Sequence, residues 1–447
     1  LFNAFMSTVL AIYRPFVKNK KVLLVADDSY NMLSLIDKIK TKDPKVFPIY
    51  ININKSKFWQ HLKNLLTGKE VFFSQNFDAG DVSSSLDDAL LGFSSKVKKH
   101  KNIEIFNFFG VDLRRILSAY VAKSSIGEMA LLENSIKKMH GIFDVQKPCL
   151  ALSQHALGYS YALGEMCSIE NIPSLLITHG THTLQKEDKY AQIEWGEHAK
   201  TIINARFSHS AIQSPIADEF FNSLDDKYST GLKTGPLIYS RLKRDKSLPE
   251  LKEWLIGKMH VDKKIIIHAG TPKGNSAIRP WVYETIDEYV RNINDLIDVV
   301  DSLKDVYLIV RFRPSEGLNK ADFSKLVKPS DNYGIYSDGL FDDYLAASDL
   351  LVSYSSTTIE EALQNDVVVL QYDHDDKYMH IQAPVIIEGQ ELDTNPIYYC
   401  GNKGELKNSI NVILKNIGLI KSEKHKWDLY RYPVDDKLEW LDKLLSK

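Results

Sequence analysis

The sequence predicts an α/β fold of two domains, each a parallel sheet wrapped by helices, and three observations carry that prediction. Short apolar runs alternate with segments of helical spacing through both halves of the chain, the pattern of strands joined by crossover helices. A charged stretch carrying Pro249, at residues 241–262, separates the two series and reads as a linker with one helix. Residues 348–373 hold a complete strand–helix–strand unit: an apolar run at 350–352, a cluster of hydroxyl residues, a helical pattern at 359–363 and a second apolar run at 367–370. A chain of 447 residues has room for two or three full cores. The expected division is 1–240, the linker 241–262, 263–425, and a last helical segment at 426–447.

Taken in order, residues 21–26 form a strand, and Asp27, Asp28 and Ser29 make a turn that can cap the helix 30–40. A strand at 47–53, a helix at 58–66 and a short strand at 71–74 follow. The Gly-, Asp- and Ser-rich segment 78–85 reads as a loop, 86–101 as a helix with a basic end, and 103–109 as a strand. Residues 113–143 have helical spacing with a break near 124–127. Strands at 148–152 and 172–177 flank a helix at 158–170; a short strand is expected at 201–205 and a helix, entered through Pro215, at 214–224. In the second series, strands are expected at 263–269, 306–312, 335–337 and 383–387. Helices are expected at 281–303, 341–347, 406–417 and 427–445.

Composition removes several classes of function. Apolar residues at 44% and charged residues at 26% are ordinary for a globular chain, and a net charge of −2 supplies no basic field for nucleic acid. Cys149, Cys167 and Cys400 are too few and too scattered for a disulfide framework or a Cys-rich zinc site, so a reducing, cytoplasmic setting is expected. No run of about 18 apolar residues marks a membrane span. Residues 1–21 are apolar first and basic afterwards, the reverse of a secretion signal; they read as a helix on the first domain or at a membrane surface, and the first residue, Leu1, suggests a piece of something longer.

The hydroxyls of Ser355, Ser356, Thr357 and Thr358 fall where a strand ends and a helix begins, beside backbone N–H groups that have no partner within the helix. They can cradle a phosphate, although Thr357 with Glu360 also fits a capping box. Arg311 and Arg313 end a strand; alternate residues share a face, and guanidinium forks suit phosphate. Lys273, after the turn Gly270-Thr271-Pro272, is a second phosphate candidate, and one of Glu360 and Glu361 can hold a ribose while the other is exposed. In the first half, His155 and His179 arrive at the ends of strands, where open parallel sheets bind ligands. His179 can serve as a base or simply close its strand, and Asp112 can be a base, a nucleophile or a helix cap. His179 and His182 have metal-ligand spacing but no third partner; Glu194 and Glu197 fall in an expected loop; Glu165 reads as a paired surface charge; and the acidic run 373–376 reads as solvated, so no metal is expected.

Asp349, Val352, Ser353, Ser356, Thr357, Glu361 and Ala362 match a turn that resembles the nucleotide-binding half of GT-B glycosyltransferases. The pair His179-Gly180 is similar to capsule glycosyltransferases and polyol-phosphate transferases of that fold. The resemblance implies two Rossmann-like domains facing a central cleft, the first holding a glycan or lipid-linked acceptor and the second a nucleotide-sugar donor, with the last helix crossing back. It implies transfer of a sugar to an acceptor hydroxyl without a metal or other cofactor, in a surface-polysaccharide pathway at the inner face of the plasma membrane. His179, Asp112 and His155 would supply the chemistry, and Arg313, Lys273, Ser355, Ser356, Thr357, Thr358 and Glu361 would hold the donor. The hydroxyl-rich turn resembles enzymes of CMP-linked acidic sugars, sialic acid- or Kdo-like, and also CDP-polyol transferases. Arg313-Pro314 stands where many relatives carry His-Pro. UDP-sugar 2-epimerases share the fold, but their H-G-D and D-S-G-G turns correspond to His179-Gly180-Thr181 and Tyr354-Ser355-Ser356-Thr357 here. A subunit of this fold without catalysis is the remaining alternative.

Overall fold

The computed structural model describes residues 19–74, 84–102, 106–108, 110–120, 126–145, 147–178, 182–185, 188–239, 247–270, 272, 281–313 and 318–445. The first sheet is built from β1 (Lys21–Asp27), β2 (Val46–Ile53) and β3 (Val71–Ser74). A separate hairpin, β4 (Asn107–Phe108) with β5 (Val111–Asp112), comes next; the sheet resumes with β6 (Leu150–Ser153), β7 (Ser174–Leu176), β8 (His209–Ile212) and β9 (Thr230–Lys233). The second sheet holds β10 (Lys264–Gly270), β11 (Val306–Phe312), β12 (Tyr333–Tyr336), β13 (Leu350–Ser353), β14 (Val368–Tyr372) and β15 (Ile397–Cys400).

Among the described residues the strand orders are β3-β2-β1-β6-β7-β8-β9 and β12-β11-β10-β13-β14-β15. Every pairing in both sheets is parallel. In each sheet the order reverses at one place, β1 beside β6 and β10 beside β13, and ligands of open α/β sheets bind outside the strand ends at such a reversal. Hydrogen bonds tie both reversals. Ser29 Oγ, which also caps the helix Tyr30–Lys42, donates to Gln154 Oε1 at 2.9 Å, and Ser353 Oγ donates to the Ala269 carbonyl at 2.7 Å.

Strands buried on both faces read as continuous apolar runs, and β2, Val-Phe-Pro-Ile-Tyr-Ile-Asn-Ile, is buried along its whole length. One core gathers around β1, β2 and β6 and takes in Trp440, Leu441 and Leu444 from the final helix, Glu439–Leu445. A second core gathers around β10, β11, β13 and β14 with the helix Ile286–Asp301. A smaller cluster joins the halves: Trp195, Phe220 and Phe221 meet Val282, Tyr354 and Tyr378.

Several local expectations need correction. The described part of the strand expected at 103–109 belongs to the antiparallel β4–β5 hairpin, where Gly110 turns the chain at a φ of +84°. Residues 201–205 are not a strand. Asp188 accepts from the N–H groups of Tyr190 and Ala191 at 2.9 and 3.0 Å, and the helix it starts, Lys189–Ile202, buries Ala191, Trp195, Ala199 and Ile202. Glu194 and Glu197 therefore sit on a helix rather than in a loop. The helix expected from 281 starts at Ile286, behind a capping box of Thr285 and Glu288. At 383–387 there is a single bridge, Val385 to Tyr399, because Pro384 has no N–H to give a ladder; the pairing strand at that edge is β15.

Candidate functional site

A cavity of about 260 Å³ opens between the domains. The first domain lines it with Tyr30, Asn31, Ser34 and Lys38 from the helix that begins after β1, and with Leu237 and Ile238. The second supplies Leu340, Phe341 and Asp342 at the start of the helix Phe341–Ala346, and Glu361 from the helix Thr358–Gln364. The wall thus offers two rings, hydroxyl and amide groups, one cation and two carboxyls. Burial, with the Asp342 carboxylate beside it, pushes the Glu361 carboxyl up to about 8. At neutral pH that group carries its proton and can donate as well as accept.

The hydroxyl turn lies at the reversal between β10 and β13. Ser355, Ser356, Thr357 and Thr358 are all half-buried, and the Thr358 N–H donates to Ser356 Oγ at 3.3 Å. Thr357 stands at the cap position without making a side-chain cap bond, and Thr358 Oγ1 is buried without a hydrogen-bond partner. The expected box of Thr357 with Glu360 is not formed. Glu360 instead accepts from Ser214 Oγ and Tyr239 Oη of the first domain, each at 2.6 Å, and all three residues are buried. Neither Glu360 nor Glu361 is exposed, against the expectation that one would be.

The two arginines part company. Arg311 is committed to the fold: Nη1 donates to the Tyr336 carbonyl at 2.9 Å and Nη2 to the Gly339 carbonyl at 2.6 Å, with the guanidinium over the Tyr344 ring. It thereby fixes the loop that carries Leu340 and Phe341 into the cavity. Arg313, one residue beyond β11, is exposed. Lys273 and His179, with Gly180 and Thr181, lie outside the described residues. His155 follows β6 and is half-exposed, its carbonyl accepting from Ser153 Oγ at 2.6 Å.

Asp112 is not at an end of the main sheet. It belongs to the separate hairpin, exposed, with its carboxylate against Arg114 Nη2 at 2.6 Å and accepting from the Arg114 N–H at 3.0 Å. Those hydrogen bonds hold its carboxyl down to about 2, which suits a helix cap and leaves a poor proton acceptor. His182 is buried in an aromatic cluster with Trp195, His198 and Phe220, Thr178 Oγ1 being 3.4 Å from its Nδ1. Glu194 accepts the N–H groups of Trp281 and Val282, both at 3.0 Å, and so joins the domains; Glu197 pairs with Lys200, and Glu165 with Arg206.

Residue-by-residue sequence reading missed two buried acids near the strand ends. Asp373, expected to be solvated, is buried and accepts from the N–H groups of Asp375, Lys377 and Tyr378; burial raises its carboxyl. Glu284 is buried beside Gly270, accepts from Asn292 Nδ2 at 2.8 Å and is pushed by burial up to about 8. In the first domain His61 bridges Glu70, at 2.5 Å, and Asp28, at 3.2 Å. Burial works against its charge, but the two carboxylates win and raise it to about 9. No local pattern announces these groups, because the burial that shifts them is set by tertiary packing, although most of their hydrogen-bond partners are near in the chain, as Asp375, Lys377 and Tyr378 are to Asp373; the cavity residues Asn31 and Lys38 had a weak signal in their helix following the β1 turn.

No family model matches the chain, and no curated protein matches it. Solved structures do. UDP-GlcNAc 2-epimerase from Neisseria meningitidis, bound to UDP-GlcNAc, superposes with a TM-score of 0.53 at 12% identity, over 95% of this chain and 99% of that one. The S. aureus MnaA–UDP structure gives 0.51 at 14%, over 96% and 98%. A putative UDP-N-acetylglucosamine 2-epimerase from Listeria monocytogenes gives 0.50 at 13%, over 96% of each chain. At such identities the likeness is one of fold. Two parallel α/β domains with a cleft between them, alike over nearly the whole length of both chains, give this protein the GT-B architecture.

Proposed function

We propose that the chain is a nucleotide-sugar enzyme, and that it transfers a sugar from a nucleotide-activated donor to a hydroxyl of a surface glycan or lipid-linked acceptor. The observation that carries this reading is the interdomain cavity with the raised Glu361 carboxyl on one wall, on the same short helix that follows the four-hydroxyl turn. Glu361 would take the ribose hydroxyls, Phe341 and Leu340 the base, and Ser355, Ser356, Thr357 and Thr358 the phosphate. Arg313, exposed at the end of β11, and Lys273 would meet the charge that develops on the phosphate as the bond from the sugar to its oxygen breaks. The acceptor hydroxyl would lose its proton to a base of the first domain, His179 or His155. Asp112, already taken by Arg114, drops out of that role. A CMP-linked acidic sugar remains the favoured donor on the hydroxyl-rich turn, with a CDP-polyol as the other cytidine choice.

A second reading, UDP-sugar 2-epimerisation, draws support from the likeness to the Neisseria enzyme. Thermal unfolding against CMP, CDP, UMP and UDP separates the readings. A ligand of the folded state at about 100 times its Kd adds roughly 2.7 kcal/mol. We expect a clear shift with a cytidine nucleotide that Glu361→Ala abolishes, and donor turnover only in the presence of acceptor. A shift with UDP alone, together with acceptor-free conversion of UDP-GlcNAc, would select the epimerase. A panel without any shift would overturn both.

A further inference from the structure

Following the edge strand β3, the described residues of the segment 84–120 form a small unit apart from both sheets: the helix Ser84–Lys98, the β4–β5 hairpin and the helix Arg114–Tyr120. Its helices meet through small polar groups. Ser94 and Ser118 are buried against each other, with Ser94 Oγ 3.0 Å from the Ser118 carbonyl and 2.9 Å from its hydroxyl. Val97, Phe106 and Leu113 are half-buried, and six other large apolar side chains face outward. Phe93 is 55% exposed, Val111 55%, Ile116 62% and Tyr120 59%, and Leu91 and Leu117 are exposed as well. Ile116 and Tyr120 are four residues apart and so share one face of their helix. A soluble surface seldom presents that many large apolar groups from one short segment unless something covers them.

Charge says what covers them. Residues 91–120 carry six Lys and Arg against two acids, in a chain whose net charge is −2. Lys96, Lys98, Lys99, Lys101 and Arg115 are exposed, and among the described residues only Arg114 of the six has an ion-pair partner, Asp112. Apolar side chains for the acyl boundary, with exposed cations of the same segment for anionic headgroups, are the composition of an interfacial membrane contact. No helix of the described residues is long and apolar enough to cross a bilayer.

We propose that this unit docks the protein on an anionic lipid surface. The inference does not depend on the reaction in the cleft. The test is co-sedimentation of the full chain with vesicles of phosphatidylcholine alone or mixed equally with phosphatidylglycerol, at low and high salt. We expect binding to the mixed vesicles only, weakened by salt. Lys98→Gln with Lys99→Gln should weaken it roughly 30-fold, and Ile116→Ser with Tyr120→Ser should weaken it at every salt concentration. Both pairs are on the surface and should leave the melting temperature unchanged, and Met259→Ser, at an exposed apolar site elsewhere, should bind as the parent does. Absence of binding to mixed vesicles would overturn the proposal, as would binding that neither pair of substitutions weakens. Heparin binding lost only in the lysine variant, or self-association lost only in the apolar variant, each without vesicle binding, would assign the patch to a polyanion or to a second copy instead.

Discussion

Glu284 and Glu361 are acids that the fold keeps protonated, and stability should record this. Burial leads in both; Asp373 and Glu288 add to it at Glu284, where the Asn292 hydrogen bond opposes the shift, and Asp342 adds to it at Glu361. Each carboxyl rises from an ordinary 4.5 to about 8. Between those values the unfolded chain has released the proton that the folded chain retains. The folded state then binds more protons, and stability falls as pH rises. His61 acts in the same sense: its folded value of about 9 lies above 6.5, so its contribution is complete below 6.5 and is lost as pH climbs through 9. Glu284→Gln keeps a carbonyl for Asn292 Nδ2 and removes one titration. Melting temperatures measured from about pH 5 to about pH 8 should fall less steeply in that variant than in the parent. Parallel profiles would mean that Glu284 ionises normally in the folded protein.

Among elements, the final helix Glu439–Leu445 has seven residues, too few to persist alone in water, and it is held by tertiary packing. Trp440 is buried in the first core although its helix follows the whole of the second domain. Trp440→Ala should cost about 3–5 kcal/mol in urea unfolding, with the loss appearing in the first domain. An effect below about 1 kcal/mol would show the helix to be a loose appendage. An apolar helix near residue 440 was legible from Trp440, Leu441, Leu444 and Leu445, but the single helix expected over 427–445 is not formed: beyond Trp427 the chain is irregular over 428–438 and helical only at Glu439–Leu445. The strands β1, β2, β10, β11, β13 and β14 were equally legible, since burial on both faces turns a strand into an unbroken apolar run. β8, His-Ser-Ala-Ile, was not, because its hydroxyl and imidazole are satisfied by neighbours: Ser210 Oγ meets Ser229 Oγ at 2.7 Å, and His209 Nδ1 meets Ser208 Oγ at 2.9 Å. The site was legible in part. Of the cavity lining, Glu361 could be found from the local unit at 348–373, whereas Tyr30, Lys38, Phe341 and Asp342 join it only because the two sheets face each other; the hydroxyls at 355–358, legible from the same unit, are not among the lining residues.

For the whole molecule the question is what sets the relation of the two domains. Adjacent residues divide that labour. Glu361 and Ile238 line the cavity, while Glu360 and Tyr239, their immediate neighbours, meet in a buried hydrogen bond across the interface. Ser214 completes the contact while also capping the helix Pro215–Asn222 through the Ala217 N–H. Glu194 against Trp281 and Val282, and Trp195 against the Tyr378 hydroxyl at 2.9 Å, hold the other side of the seam. Truncating Glu360 leaves the Tyr239 and Ser214 hydroxyl protons without their carboxylate, a loss of about 1–3 kcal/mol for each buried donor. That loss falls on the interface rather than on either core, so it should reduce cooperativity as well as stability. Calorimetry of Glu360→Ala is expected to resolve two heat-absorption transitions, one per domain, where the parent gives one. Glu361→Ala, a residue along the same helix but facing the cavity, should keep the single transition. If both variants melt as one unit, the aromatic cluster of Trp195, Val282, Tyr354 and Tyr378 suffices to couple the domains, and Glu360 is a local contact only.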